Sequence, residues 1–270
     1  MEVRLSDSKS LDILGIKPVG DAAREVTSAV IGGVSAFLSR ICLPVAEEFG
    51  LVLRDRVRIY RTTNMVAIAR AAERKLDETG AGPDVSALPR LVSRILDDGS
   101  WIEDSEVQEM WGGLLASACS ESGDDDSNLL FVNLLAGLTG LQARILRYAC
   151  EQSKKVKTKQ GLVQALPLDV TLEMLFKVTG EQDIQRLDRE MDNLRAHELL
   201  DQAGGFSVAN NMPSAGLTPT ALALHMYVRG QGVRSSPIDY FGITEVWEVV
   251  GDRIWRPVQS AGSDSTAPQP

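Results

Sequence analysis

Apolar residues recur at three- and four-residue steps between Ala22 and about Leu53: Val26, Val30, Val34, Phe37, Ile41, Val45 and Phe49. That period predicts helix. Pro44 is expected to kink or divide it, because proline donates no backbone N–H. Gly32-Gly33 cost helix stability unless something packs very closely there, so the pair predicts a close helix approach. A second helix is predicted over about 53–77 and, after the breaker Gly80-Ala-Gly-Pro83, a short one over Leu88 to Asp98. Ser105-Glu-Val-Gln108 has the form of a capping box. It opens a helix whose apolar stripe is Val107, Met110/Trp111, Leu114/Leu115 and Ala118.

Beyond Asn128 the pattern changes. Leu129 to Leu138 is apolar and helical. Thr139-Gly-Leu-Gln142 is a second capping box, starting a helix with Leu141, Ile145, Leu146 and Ala149 inward. Lys154 to Lys159 reads as a basic loop. A helix near Val170 to Val178 precedes a longer one from Glu181 to Leu200, capped by Thr179-Gly-Glu-Gln182, with Ile184, Leu187, Met191 and Leu194 as its buried stripe. Leu199 to Val208 then reads as a strand, a Gly-rich turn and a strand. Thr218-Pro219 reads as an N-cap with proline at the first helical position of a helix reaching Val228. The order of three helices, a hairpin and a helix predicts a winged-helix-like α+β module. Val246 to Val250 and Arg253 to Val258 flank Gly251-Asp252 as a β-hairpin.

The fold class expected is mainly α. Its parts are a helical domain over 1–127, a winged-helix-like module over 128–231, a hairpin appendage over 232–258 and a disordered tail over 259–270, whose small polar residues bury no core.

Charge sharpens this picture. The chain of 270 residues is acidic, with a net charge of -9 and a pI near 4.9. That weighs against a chain that binds nucleic acid throughout, since such affinity rests on Lys and Arg at phosphates. Within the acidic whole, the helix at 53–77 holds seven positive and three negative charges, and Arg54, Arg58 and Arg61 share one face. The section 97–126 then holds ten carboxylates and no Lys or Arg. The two sections are complementary and can pair within one domain. The predicted recognition helix, Glu181 to Leu200, carries six carboxylates against three arginines. It would be repelled by a phosphate backbone, so a winged helix used for protein contact is expected.

Candidate chemistry is sparse. The chain has no phosphate-binding GxxxxGK[ST] loop, no three-glycine dinucleotide fingerprint and no GxSxG or HExxH motif. Cys42, Cys119 and Cys150 are scattered and odd in number, which predicts reduced thiols rather than disulfides or a zinc cluster. His197 and His225 lack metal-ligand spacing. No catalytic, cofactor or metal residues are assigned. No n-region and h-region open the chain, and the apolar run Val26 to Leu38 is shorter than a bilayer span. A cytoplasmic protein is expected. Val34 on the apolar helix and Arg54, Arg58 and Arg61 on the basic one are the candidate interaction residues.

One stretch carries a resemblance. Ile102-Glu-Asp-Ser-Glu-Val-Gln-Glu-Met-Trp-Gly-Gly-Leu-Leu-Ala-Ser-Ala118 resembles the "E-D-x-E-L-x-E-M-F-A-N-L-L-A-S-A" core of the abortive infection alpha family of bacterial phage-defence proteins. Leu130 to Leu146 is similar to that family's "F-V-x-I-I-x-x-L-S-x-x-E-A-x-I-L", and Leu199-Leu200 with Leu217-Thr218-Pro219 to its C-terminal segment. The likeness spans about residues 20–230. A His-Pro common before the Phe-Val segment is absent, and Ala221 stands where glycine is usual. The resemblance implies defence against phage and carries over no catalytic residue; Met110, Leu114, Leu115 and Ile145 fall at packing positions. The expected function is non-enzymatic defence through a protein partner or a homo-oligomer. The alternatives are a membrane-acting effector using the apolar helix 26–49 at a membrane surface, and a winged-helix transcription regulator.

Overall fold

The computed structural model describes residues 28–45, 56–82, 84–209, 212–250 and 254–258. The fold is mainly α. Helices α1 (Ser28–Ile41), α2 (Arg56–Thr79), α3 (Pro89–Gly99), α4 (Ser105–Ala118), α5 (Leu129–Leu135) and α6 (Gly140–Gln152) come first. Strands β1 (Lys155–Thr158), β2 (Val163–Ala165) and β3 (Asp169–Thr171) lead to α7 (Leu172–Thr179) and α8 (Ile184–Ala196). Then follow β4 (Phe206–Ala209), β5 (Met212–Gly216), α9 (Ala221–Gly230), the short α10 (Pro237–Tyr240), β6 (Val246–Val250) and β7 (Ile254–Pro257). Among the described residues no helix is long and apolar enough to cross a membrane.

The 3.6-residue pattern decides which faces are buried. Val34, Phe37, Leu38 and Ile41 turn α1 into the core. Pro44 divides the segment as its missing N–H requires: α1 ends at Ile41, and 43–45 form a separate turn. Helix α4 is the axis of the structure, buried on nearly every side and packed against α2, α3, α5, α6 and α9. Its two adjacent glycines face different neighbours. A Cβ on Gly112 would lie 2.5 Å from the Cβ of Ala71 in α2, and one on Gly113 only 1.7 Å from the carbonyl oxygen of Gly230 in α9. Only glycine permits backbone contacts this close.

Two sheets complete the architecture. One has strand order β3-β5-β4 and is antiparallel throughout, with Val170 opposite Ala215 and Phe206 opposite Ala215 on the other side. The other has order β2-β1-β6-β7. There β1 pairs antiparallel with β2 and parallel with β6, Lys157 opposite Val246. The hairpin β6–β7 therefore extends a sheet begun by residues 155–165.

Several local expectations are corrected. The segment read as a basic loop, 154–159, is strand β1: Val156 is buried while the lysines beside it stay half-exposed, a two-residue alternation. No strand forms at Leu199–Gln202. Leu200 makes one isolated bridge with Pro219, both leucines are driven into the core, and the hairpin lies later, at β4–β5. Ser105 is not the cap of α4. Asp104 takes the N–H groups of Glu106 and Val107, and its charge suits a helix N-terminus better than a hydroxyl. Likewise Asp183, not Thr179, caps α8; Thr179 ends α7 and donates to the carbonyl of Leu175. Thr220, not Thr218, caps α9, while the Thr218 hydroxyl accepts from Leu168 N–H. The box at Thr139 forms as expected, with reciprocal bonds of 3.2 and 3.0 Å to Gln142. Ile184 is exposed rather than part of the α8 stripe, because it opens the helix beyond the core. Gly32 and Gly33 are exposed, and no other element among the described residues comes within 4 Å of the place a Cβ would take, so no close helix approach is seen there among those residues.

Candidate functional site

The basic and acidic sections meet across α2, α3 and α4. Arg61 donates through Nε to Ser100 Oγ at 2.8 Å and through Nη2 to Asp97 at 2.9 Å. Arg74 engages both oxygens of Glu109 at 2.7 Å. Asn64 donates to the Ser100 carbonyl, and Gln108 to Asn64 and the Ile102 carbonyl, so the α3–α4 link is fastened to α2. This fixes an aromatic patch. The indole of Trp101 is 56% exposed, the Arg61 guanidinium lies 4.6 Å over it, and Tyr60 is exposed beside it. Arginine stacked on tryptophan is a recurrent composition of protein interfaces.

Of the four residues picked from sequence, the structure describes the side chains of two. Val34 is buried inside the chain. Arg54 lies outside the described residues. Arg58 belongs to α2, with its side chain outside the description, and Arg61 is spent on Ser100, Asp97 and Trp101.

A second place, which sequence reading missed, is a cleft of ≈ 500 Å³ where α2, α4, α6 and α9 converge. Met110, Ala143, Leu146 and Gly230 give it apolar surface, and Lys75, Glu106, Arg147 and Tyr227 bring polar groups. Burial lowers the basicity of Lys75, with Glu109 opposing that shift. Burial also pushes the Tyr227 hydroxyl up, helped by Glu151, to which it donates at 3.2 Å. The only trace in sequence is helical spacing, Glu106 to Glu109 on α4 and Arg147 to Glu151 on α6. Nothing local says that four helices bring these pairs together.

The outward side of α8 is a third surface. Arg186 bonds Glu181 at 2.8 Å and Arg189 meets Glu190 at 3.2 Å. Arg195 is buried and donates to Asp192 at 2.7 Å. Glu190 is itself buried, accepting from Gln142 at 2.8 Å, which locks α8 onto the start of α6. From Ala196 to Val228 the chain has no Lys or Arg.

The three cysteines are free and buried. Burial pushes the thiol of Cys119 up to about 12, and raises those of Cys42 and Cys150. Among the described residues no three or more His, Cys, Asp or Glu are grouped to hold a metal ion.

The family model for abortive infection alpha matches residues 62–212, from the second turn of α2 to the start of β5. The chain belongs to the abortive infection alpha family. The matched stretch is narrower than the likeness read from the motifs, and it contains all of α4 and α6. Leu114, Leu115 and Ile145 of those motifs are buried as packing positions, while Met110 is half-buried at the cleft. No curated protein and no solved structure matches the chain.

Proposed function

We propose that this chain acts in abortive-infection defence against phage as a non-enzymatic protein, working through a protein partner or a second copy of itself. In this reading residues 140–216 are a winged helix, with α6, α7 and α8 as its helices, β3 as its first strand and β4–β5 as its wing. Family membership supports the biological role. The order of these elements and the strand order β3-β5-β4 support the winged helix.

One observation carries the mode of action. A DNA-reading winged helix lays its third helix in a groove and its wing along the phosphates, and needs cations on both. Here Arg186, Arg189 and Arg195 are matched with carboxylates on or beside α8, and the wing has no Lys or Arg at all. The face suits a protein surface instead. The membrane-acting alternative asks α1 for a free apolar face, whereas Val34, Phe37, Leu38 and Ile41 serve this chain's own core.

The test combines phage plating with a duplex-binding assay across a salt series. Asp188→Lys on α8 and Glu198→Lys just beyond its C-terminus reverse two charges outside the buried stripe, the first half-buried and the second exposed. We expect the double variant to fold, to lose protection, and wild type to show only non-specific duplex affinity, about 10⁻⁴ to 10⁻⁶ M at physiological salt. Sequence-specific, salt-sensitive binding that disappears on Arg186→Ala or Arg189→Ala would overturn the reading in favour of a transcription regulator.

A further inference from the structure

We propose that the outer edge of β4 pairs antiparallel with β4 of a second copy of this chain, about a two-fold axis at Ser207. This deepens the reading above by naming the second copy as the partner, and rests on that reading only for its place in defence.

Among the described residues the two sheets have four edge strands, β2 and β7 in one, β3 and β4 in the other. A free edge offers unpaired N–H and C=O groups to any other strand, and folded proteins blunt it with charge, proline or cover. Three of the four are blunted. Strand β7 carries Arg256 and Pro257, both exposed. Strand β3 starts at the exposed Asp169. In β2, Val163 and Ala165 are buried. Strand β4, Phe206-Ser207-Val208-Ala209, has no charge and no proline, and its Ser207 is exposed. Its register with β5 runs unbroken from Phe206–Ala215 to Ala209–Met212, so no bulge turns the edge aside.

The ladder fixes which groups point outward. Gly216 N–H donates to the Gly205 carbonyl, which makes these two a hydrogen-bonded pair. Such pairs alternate along an antiparallel ladder. Ser207–Ser214 and Ala209–Met212 are therefore the next two, and Phe206 and Val208 turn their N–H and C=O groups away from β5. Among the described residues no backbone partner meets those outward groups. A second β4 supplies one for each. With Ser207 opposite the partner's Ser207, Phe206 forms a hydrogen-bonded pair with the partner's Val208, and Val208 forms one with the partner's Phe206.

Charge selects this occupant. The chain carries a net -9, so two copies repel over most of their surfaces. Gln202 to Val228 holds no Asp, Glu, Lys or Arg, the longest such run in the chain, and β4 and β5 lie inside it. A partner recognised by charge would find nothing to read there, whereas a second neutral strand meets no like charge. Pairing of identical segments is also self-complementary, as a two-fold interface must be.

The experiment is sedimentation and light scattering of the full chain across the micromolar range. We expect wild type to associate to a dimer there. Val208→Pro removes an outward donor and spares the β5 ladder, where Val208 stands opposite Pro213 in a pair without hydrogen bonds. It should fold and associate roughly a hundredfold more weakly, since each dimer loses two donors and takes two rings into its seam. Ser207→Lys and Ser207→Asp each set like charges face to face on the axis and should each weaken association. Mixed in equal amounts, the two should associate more tightly than either alone. That rescue requires Ser207 to face itself, and a change in stability does not produce it. If Val208→Pro does not fold, the Lys and Asp variants decide. The proposal is overturned by a monomeric wild type, by a folded Val208→Pro protein that dimerises as wild type does, or by Lys and Asp variants that associate no better mixed than alone. Phage plating is not a readout, so a monomeric wild type leaves defence through a different partner standing on its own test.

Discussion

Replacing Gly113 by alanine places a methyl group where α4 and α9 touch through their backbones. The added Cβ would sit 1.7 Å from the carbonyl oxygen of Gly230, 2.2 Å from its carbon and 2.8 Å from its Cα. None of these atoms belongs to a side chain, so no rotamer change relieves the clash. The helices must part by about 1.5 Å to restore ordinary contact in a close-packed interior. Overpacking of this kind costs roughly 1–3 kcal/mol and sometimes more. The same joint holds two hydrogen bonds, Ser117 Oγ to the Arg229 carbonyl at 3.0 Å and Arg229 Nη1 to the Ser117 carbonyl at 3.3 Å. Stretching them adds about 1 kcal/mol each. The expected loss is thus about 3–5 kcal/mol, a fall in melting temperature on the order of 10 °C for a chain of this size. Gly32→Ala is the internal control. It is exposed, has no other element among the described residues within 4 Å of the new methyl, and sits in a helix. It should stabilise the chain by roughly 0.5–1 kcal/mol. Urea and thermal unfolding followed by circular dichroism measure both. A Gly113→Ala protein as stable as wild type would refute the backbone contact, and the packing of α9 on α4 with it.

Three further outcomes are expected. Val34→Asp buries an unpaired carboxylate among Phe37, Leu38 and Ile41 and should cost more than about 4 kcal/mol; a folded variant with wild-type stability would show that α1 is not core. Cys42, Cys119 and Cys150, buried and held protonated, should resist a thiol reagent at neutral pH and react only in denaturant; fast labelling of the native chain would contradict their burial. The Asp125 carboxyl is held below its usual value by Ser127 and then by Arg234 and Arg229, so its stabilisation is present above the ordinary carboxylate range and lost as pH falls through the depressed value. Asp125→Asn should therefore be less stable than wild type at neutral pH, by about 0.5–1.5 kcal/mol, with the gap closing in acid; a gap that widens in acid would reverse the sign.

Local chemistry was legible in the sequence, because a helix is written at three- and four-residue spacing. The helical spans, the division at Pro44, the Thr139 box and the hairpin at 246–258 could all be read from residues close together in the chain. So could the motif that places the chain in its family. The meeting of the basic and acidic sections was legible as charge complementarity, though not as the pairs Arg61–Asp97 and Arg74–Glu109. Competition between near-equal neighbours was not legible. Ser105 and Asp104 both offer an oxygen to the same N–H groups, and the geometry of the incoming chain decides between them. Nor were pairings distant in sequence. Strand β1 is completed by β6 nearly ninety residues later, and no local pattern names that partner. The two glycine pairs make the contrast plain. Gly32-Gly33 and Gly112-Gly113 look alike in sequence, yet one faces solvent and the other lets three helices meet. A glycine's cost is local, while the close neighbour that makes it necessary is supplied only by tertiary packing. The cleft follows the same rule: Lys75, Glu106, Arg147 and Tyr227 come from four helices, and only their packing brings these groups to one place.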